Sequence, residues 1–226
     1  MERIMIIGLG GIGGSLAEPL ARYLAYSGAC KELLLVDGDR YERKNQDRQN
    51  ITAIDNGRHK ADVWAGRLAP MFPAMKVVGI ACYVTPANVR EIIPDGSVVM
   101  LCVDNHATRS LVQEHCLKLR DVVLISGGND YTDGNVQAFR KKAGRVLCAP
   151  ITKHHPEIEF PEDRRPDEIG CDEEVVSAPQ LLMANFMAAA LMLNAFYGMM
   201  NSREPAFSEA YFDVVKNSVR TLKRAA

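Results

Sequence analysis

IMIIGLGGIGGSLAEPLARYLAYSGACKELLLVDGDRYERKNQDRQ, residues Ile4 to Gln49, decides how the rest of the chain is read. Ile4–Gly8 is a short apolar run closed by glycine, the pattern of a strand buried on both faces. Gly8, Gly10 and Gly13 follow the G-x-G-x-x-G spacing, within a loop that also holds Gly11 and Gly14. Glycine serves there for tight turning, for close approach of main chain to a phosphate, and for packing a helix on the strand. The pattern predicts a helix from Ser15 to Ser27, capped by Gly28. Its N-terminus offers N–H groups and a positive dipole end to an anion. Leu33–Val36 reads as a second buried strand, with Asp37 at its carboxyl end, where a carboxylate can accept from ribose hydroxyls. The stretch is a nucleotide site in one continuous piece of chain.

Beyond it the β-α alternation continues. Helices are predicted over Gly57–Ala69, with Lys60 near the start, over Pro86–Ile93, and over Ala107–Leu119. Strands are predicted over Val77–Ala81, Val98–Val103 (ending on Asp104) and Val122–Ser126. This order implies a Rossmann-like, mostly parallel sheet flanked by helices. In such a sheet the ligand lies across the carboxyl ends of the strands, where the glycine loop, Asp37 and Asp104 all stand. After Gly127 the pattern changes to a short antiparallel extension. Val136–Phe139 and Arg145–Cys148 are expected to pair around a turn at Lys141–Gly144, and Ala210–Val215 and Ser218–Leu222 to close the fold. His154–Glu174, rich in proline and acid, reads as a loop. Pro179–Met200 approaches membrane-spanning length, but Gln180, Asn185 and Asn194 interrupt it and no basic flank marks a membrane edge. A core or dimer-interface helix is expected there.

The 226 residues suit one domain, with residues 1–126 as nucleotide-binding core and 127–226 as crossover loop, apolar helix and closing strands. A net charge of −1 supplies no field toward nucleic acid or anionic lipid. Met1-Glu2-Arg3 leads directly into a strand, so no secretory signal is expected, and the six cysteines read as reduced thiols in the cytoplasm. Cys82 and Cys102 lie beside or within apolar runs, as small buried hydrophobes do.

The glycine loop alone is shared with many dehydrogenases. The segment after Val36, D-G-D-R-Y-E-R-K-N-Q-D-R-Q, narrows the reading, because it resembles the D-x-D-x-x-E-x-x-N-x-x-R-Q segment of the ThiF/MoeB/E1 family. These are ATP-dependent activators of ubiquitin-like and sulfur-carrier proteins. Asp37, Asp39, Glu42, Asn45, Arg48 and Gln49 fall in register. G-R-H-K-A at Gly57–Ala61 is similar to the family's G-x-x-K-A, and C-V-D-N-H-A-T-R at Cys102–Arg109 to its D-N-x-x-x-R. Gly127, Gly128 and Gly134, and the Cys171-to-Pro179 spacing, follow the family more loosely.

The resemblance implies adenylation: a C-terminal glycine carboxylate attacks the α-phosphate of ATP, giving an acyl-adenylate and pyrophosphate. It assigns nucleotide contacts to Gly8, Gly10, Gly11, Gly13, Asp37, Asp39, Asn45, Arg48, Gln49, Lys60, Asp104 and Asn105. Arg48 and Lys60 are its cations for the phosphates and Asp104 its Mg2+ ligand, and Cys171 is the candidate acyl acceptor. The three acids that follow Cys171 oppose a lowered thiol pKa unless Arg164 or Arg165 folds back. Cys148 stands where relatives have the first cysteine of a zinc site, but the segment reads C-A-P-I, so no four-cysteine zinc site is expected. Cys148, His154, His155 and Cys171 are an alternative metal set. Asp104 also has a bland reading as a helix N-cap. The chain begins at the first strand, so the N-terminal arm of many relatives is expected to be missing, as are separate cysteine and ubiquitin-fold domains. The implied partners are a small β-grasp carrier ending in Gly-Gly and a second copy of the chain. Other readings are activation of a peptide or tRNA base, a non-catalytic nucleotide-binding scaffold, and an NAD-dependent dehydrogenase.

Overall fold

The structure, a computed structural model, describes residues 3–169, 180–201 and 207–224. Five parallel strands form its centre: β1 (Arg3–Ile7), β2 (Glu32–Val36), β3 (Lys76–Ile80), β4 (Ser97–Leu101) and β5 (Val122–Asn129). Antiparallel strands β6 (Asp133–Lys142), β7 (Arg145–Cys148), β8 (Glu209–Asp213) and β9 (Ser218–Leu222) extend it from β5. The order is β3-β2-β1-β4-β5-β6-β8-β9, with β7 paired to β6. The strand order reverses between β1 and β4, which opens the crevice at their carboxyl ends.

Helices cover both faces. One carries α1 (Gly11–Ser27), α2 (Lys60–Met71) and α6 (Leu182–Asn201), and the other α3 (Val89–Ile92), α4 (His106–Lys118) and α5 (Pro156–Glu159). Leu16, Leu20 and Leu24 recur on one face of α1 and are fully buried. Burying each such side chain stabilises the fold by about 1.5–3 kcal/mol. The uncharged α6 packs on α1, β5 and β6, and half of it is buried inside the protein, as a core helix requires. On its other side Met183, Phe186 and Tyr197 are exposed.

Several boundaries differ from the sequence expectation, for local reasons. The first helix starts at Gly11 rather than Ser15, since the absent side chains of Gly13 and Gly14 let the glycine loop itself form the first turn, with Gly14 N–H donating to Gly10 O at 2.9 Å. The second starts at Lys60 rather than Gly57, because Gly57 has φ +80° and His59 is extended. The strand expected to end at Ser126 runs on to Asn129 because β6 pairs along its whole length. The expected 86–93 helix shortens to α3, after a turn in which Asn88 Oδ1 accepts from Thr85 N–H. Within the expected 154–174 loop lie α5, with proline at its first turn, and a 3-10 turn at Pro166–Glu168.

Candidate functional site

At the carboxyl end of β1 the chain turns sharply. Gly8 has φ +89°, and a Cβ there would lie 2.7 Å from the Cys102 carbonyl, so only glycine lets the ends of β1 and β4 meet. A Cβ on Gly13 would lie 1.9 Å from the Gly8 carbonyl. The loop therefore folds tightly onto α1, whose N-terminus has no side-chain cap and no acidic residue in its first turn. A long helix starting behind a glycine loop with its first N–H groups uncapped fits a phosphate.

Asp37, at the end of β2, is 8% exposed and bound to main chain: Oδ2 accepts from Leu9 N–H at 2.6 Å and Oδ1 from Asp39 N–H at 2.8 Å. Its first task is thus to hold the glycine loop against β2. Burial pushes its carboxyl above the usual carboxylate range, against the pull of Lys60. The more accessible carboxylate is Asp39, whose Oδ2 accepts from Lys60 Nζ at 2.7 Å and whose Oδ1 accepts from the Tyr83 hydroxyl at 2.5 Å. Burial raises the Asp39 pKa, but the charge and hydrogen bond of Lys60 outweigh it and hold the group below its ordinary value. Lys60 itself is buried, 5.9 Å from the centre of the Tyr41 ring. Burial lowers its pKa, but Asp37 and Asp39 more than compensate, so it stays charged. Tyr41 is anchored in turn by Trp64 Nε1–H at 2.8 Å.

Asp104 follows β4 and is exposed. The N-cap of α4 is its neighbour Asn105, whose Oδ1 accepts from Thr108 N–H at 2.8 Å. Asn105 thus takes the cap position expected for Asp104, and the Asp104 carboxylate lies close enough for its charge to be felt by Lys60 and Arg109. Asn45 is buried and closes a capping box, its Oδ1 accepting from Glu42 N–H at 3.0 Å. Arg48 donates from one guanidinium nitrogen to Lys44 O at 2.8 Å and Asp47 Oδ1 at 3.1 Å. Gln49 stands beside Gly10, where a Cβ would lie 3.6 Å from its Nε2.

The structure thus gathers the glycine loop, Asp37, Asp39, Lys60 and Gln49 around one crevice, with Asn105 holding the helix behind Asp104. Lys60 donates to Asp39, and Arg48 Nη1 donates within its own loop. Cys171 lies outside the described residues. Of the alternative metal set, Cys148 is buried with its thiol pushed up to about 11 by burial, and His155 pairs with Glu157 at 3.0 Å and Glu209 at 3.3 Å. Among the described residues no group of three or more His, Cys, Asp or Glu is arranged to hold a metal. A single carboxylate near a glycine loop that fits a phosphate is still a donor set that suits Mg2+, which is commonly held by one or two carboxylates plus phosphate oxygens and water.

Three groups at the site carried no role in the sequence reading. Tyr83 covers Gly38, where a Cβ would lie 2.6 Å from its ring. The buried Arg109 donates to Val103 O at 2.9 Å and Gly127 O at 3.1 Å, joining the ends of β4 and β5. Asp163 accepts from the N–H groups of His106 and Ala107 at 2.7 and 2.8 Å, pinning the crossover segment to the start of α4. Arg109 stood in the quoted D-N-x-x-x-R motif, which was a usable signal. Tyr83 and Asp163 had none.

Proteins of known structure share this fold. Escherichia coli MccB superposes with a TM-score of 0.71 at 18% identity, covering 98% of this chain and 63% of MccB. PaaA gives 0.69 at 16% identity, over 100% of this chain and 65% of PaaA. At such identities the likeness is one of fold. In sequence, the chain is 34% identical over 137 residues to the adenylyltransferase and sulfurtransferase MOCS3 of Drosophila grimshawi, covering 60% of this chain and 29% of that protein. It is 32% identical over 127 residues to the SAMP-activating enzyme E1 of Haloferax volcanii, covering 56% of this chain and 45% of that protein. The matched segments therefore span less than half the length of these relatives. The ThiF family profile matches residues 1–226, and the chain belongs to the ThiF family.

Proposed function

We propose that the protein is an E1-like adenylyltransferase. In this reading the C-terminal glycine carboxylate of a ubiquitin-like or sulfur-carrier protein attacks the α-phosphate of ATP. A bond forms from carboxylate oxygen to α-phosphorus, and pyrophosphate leaves with the β- and γ-phosphates. The observation that carries the reading is the uncapped N-terminus of α1 behind the glycine loop, facing the same crevice as Asp39, Lys60 and Asp104. The names of the curated relatives, an adenylyltransferase and an activating E1, support it.

The roles follow from charge and position. The glycine loop lets main-chain N–H groups approach the phosphates. Asp37 sets that loop, and Asp37 and Asp39 supply acceptors for the ribose. Asn45 shapes the loop that carries Arg48 and Gln49. Lys60 and Arg48 turn from their present partners to neutralise charge on the transferring and leaving phosphates, the main demand of this chemistry. Asp104 holds Mg2+, which when bound supplies positive charge to the phosphate oxygens. Cys171 is the proposed acceptor for onward transfer.

The protein is proposed to work in the cytoplasm as a homodimer. The uncharged α6 exposes Met183, Phe186 and Tyr197 along one side, a face suited to an equally uncharged partner such as its own copy. The test of function is ATP–pyrophosphate exchange with purified β-grasp carriers ending in Gly-Gly. Carrier-dependent exchange is expected, and carrier-independent hydride transfer to NAD in its place would refute the proposal.

A further inference from the structure

Asn185 is the one strongly polar side chain fully buried along α6, among Ala184, Ala188 and Met192. It sits in the first turn of that helix and points at the glycine loop. A Cβ built on Gly11 would lie 2.1 Å from its Nδ2 and 2.7 Å from its Oδ1, so the carboxamide packs directly on the glycine backbone. Its Nδ2 donates to the main-chain carbonyl of Arg48 at 3.3 Å. Its Oδ1 is buried without a hydrogen-bond partner among the described residues. Near Gly10 of the same loop, Gln49 Oε1 is likewise buried without a partner among the described residues.

A buried acceptor without a partner costs stability, and asparagine is a poorer helix former than the Ala, Leu and Met around it. Neither property suits a residue present only to fill the core. A buried group left unsatisfied in a folded protein calls for a reason, and a functional role is one such reason. Among the described residues the amide makes one hydrogen bond outside its own helix, and that bond is with the residue proposed to neutralise phosphate charge.

We infer that Asn185 is a positioning residue, which fixes the main chain of Arg48 relative to the glycine loop so that the guanidinium is delivered to the phosphates. The inference rests on the adenylation reading. It links three segments far apart in sequence: the loop after β1, the loop after β2, and the start of α6. Because Arg48 acts on charge that develops during transfer, loosening its main chain lowers turnover more than ATP affinity. Asn185→Ala removes the tether and, with it, the orphaned acceptor, so function and stability move separately.

The experiment compares wild type, Asn185→Ala, Arg48→Ala and the double variant. It measures MgATP binding by calorimetry, exchange with the Gly-Gly carrier that best supports wild type, and thermal unfolding. Asn185→Ala is expected to lower kcat about tenfold, the scale of one positioned hydrogen bond, with ATP affinity within about twofold. Its melting temperature is expected to stay within about 3 °C of wild type or rise. In the Arg48→Ala background the second change is expected to have no further effect, since both act through one group. Wild-type kcat in Asn185→Ala, or additive losses in the double variant, would overturn the inference while leaving adenylation standing. So would a parallel loss of melting temperature and activity, the mark of a purely structural role. Wild type that binds MgATP but exchanges with no carrier would overturn the adenylation reading, and the inference with it.

Discussion

Gly13→Ala tests the tightest contact at the site. A Cβ there meets the Gly8 carbonyl oxygen at 1.9 Å, the Gly8 carbonyl carbon at 2.9 Å and Cys102 Cβ at 3.3 Å, where ordinary contact begins at 3.4 Å. About 1.5 Å of separation from a main-chain oxygen must therefore be found. Gly8 has little freedom to yield it, because its φ is +89°, its N–H is bonded to Val36 O at 2.9 Å, and its Cα faces the Cys102 carbonyl. Overpacking costs about 1–3 kcal/mol, and a clash with fixed main chain belongs at the upper end. For a chain of this size each kcal/mol moves the melting temperature by about 2–4 °C, so a fall of about 6–12 °C is expected. The control is Gly66→Ala, in the interior of α2, where a Cβ meets nothing within 4 Å. There helix propensity alone acts, stabilising by about 0.8–1 kcal/mol and raising the melting temperature by about 2–4 °C. Thermal unfolding followed by circular dichroism measures both, and calorimetry with MgATP follows the phosphate cradle, which Gly13→Ala pushes open. A Gly13→Ala protein melting within 2 °C of wild type, or two substitutions shifting it in the same direction, would refute the packing argument.

Asp104→Ala is expected to abolish carrier-dependent exchange while keeping the melting temperature within about 2 °C, because the residue is exposed; normal exchange by the folded variant would remove Asp104 from the mechanism. Burial raises the Asp55 pKa, but the N–H and hydroxyl of Thr52, then Arg67 and Arg58, outweigh it and hold the carboxyl below its ordinary value. Its stabilising effect is complete above the unfolded value of about 4 and is lost as pH falls through the folded value. The stability gap between wild type and Asp55→Asn should narrow in urea titrations taken from pH 6 toward pH 2; a constant gap would contradict the shift. Burial pushes the Cys102 and Cys116 thiols up to about 12. Both should resist iodoacetamide in the native protein at neutral pH and react after unfolding, and rapid native labelling of Cys102 would count against its burial. Substituting Met183, Phe186 and Tyr197 together by serine should shift sedimentation from dimer to monomer, whereas an unchanged dimer would place the interface elsewhere.

The order of strands and helices was legible in the sequence because it depends on local apolar runs and on glycine punctuation. Ile4–Gly8, Leu33–Val36 and Val98–Val103 could hardly be anything but buried strands, and right-handed crossovers between them place Asp37 and Asp104 at one end of a parallel sheet. What spacing could not reveal was which neighbour each polar group would find. Asp104 and Asn105 are adjacent and both suited to cap a helix, and the geometry of one turn decided for Asn105. Asp39 was legible as an acid at a strand end, but its bonds depend on where α2 starts, for Lys60, and on how the chain returns after β3, for Tyr83.

The glycine loop shows the division most clearly. Its spacing alone implied a tight turn with a helix starting behind it, since those follow from the missing side chains. That Gly11 must stay bare for Asn185 was decided by the docking of α6 on α1, a contact between distant parts of the chain. Local sequence encodes conformational preference, whereas the partners of buried polar groups are set only once layers of structure have closed over them.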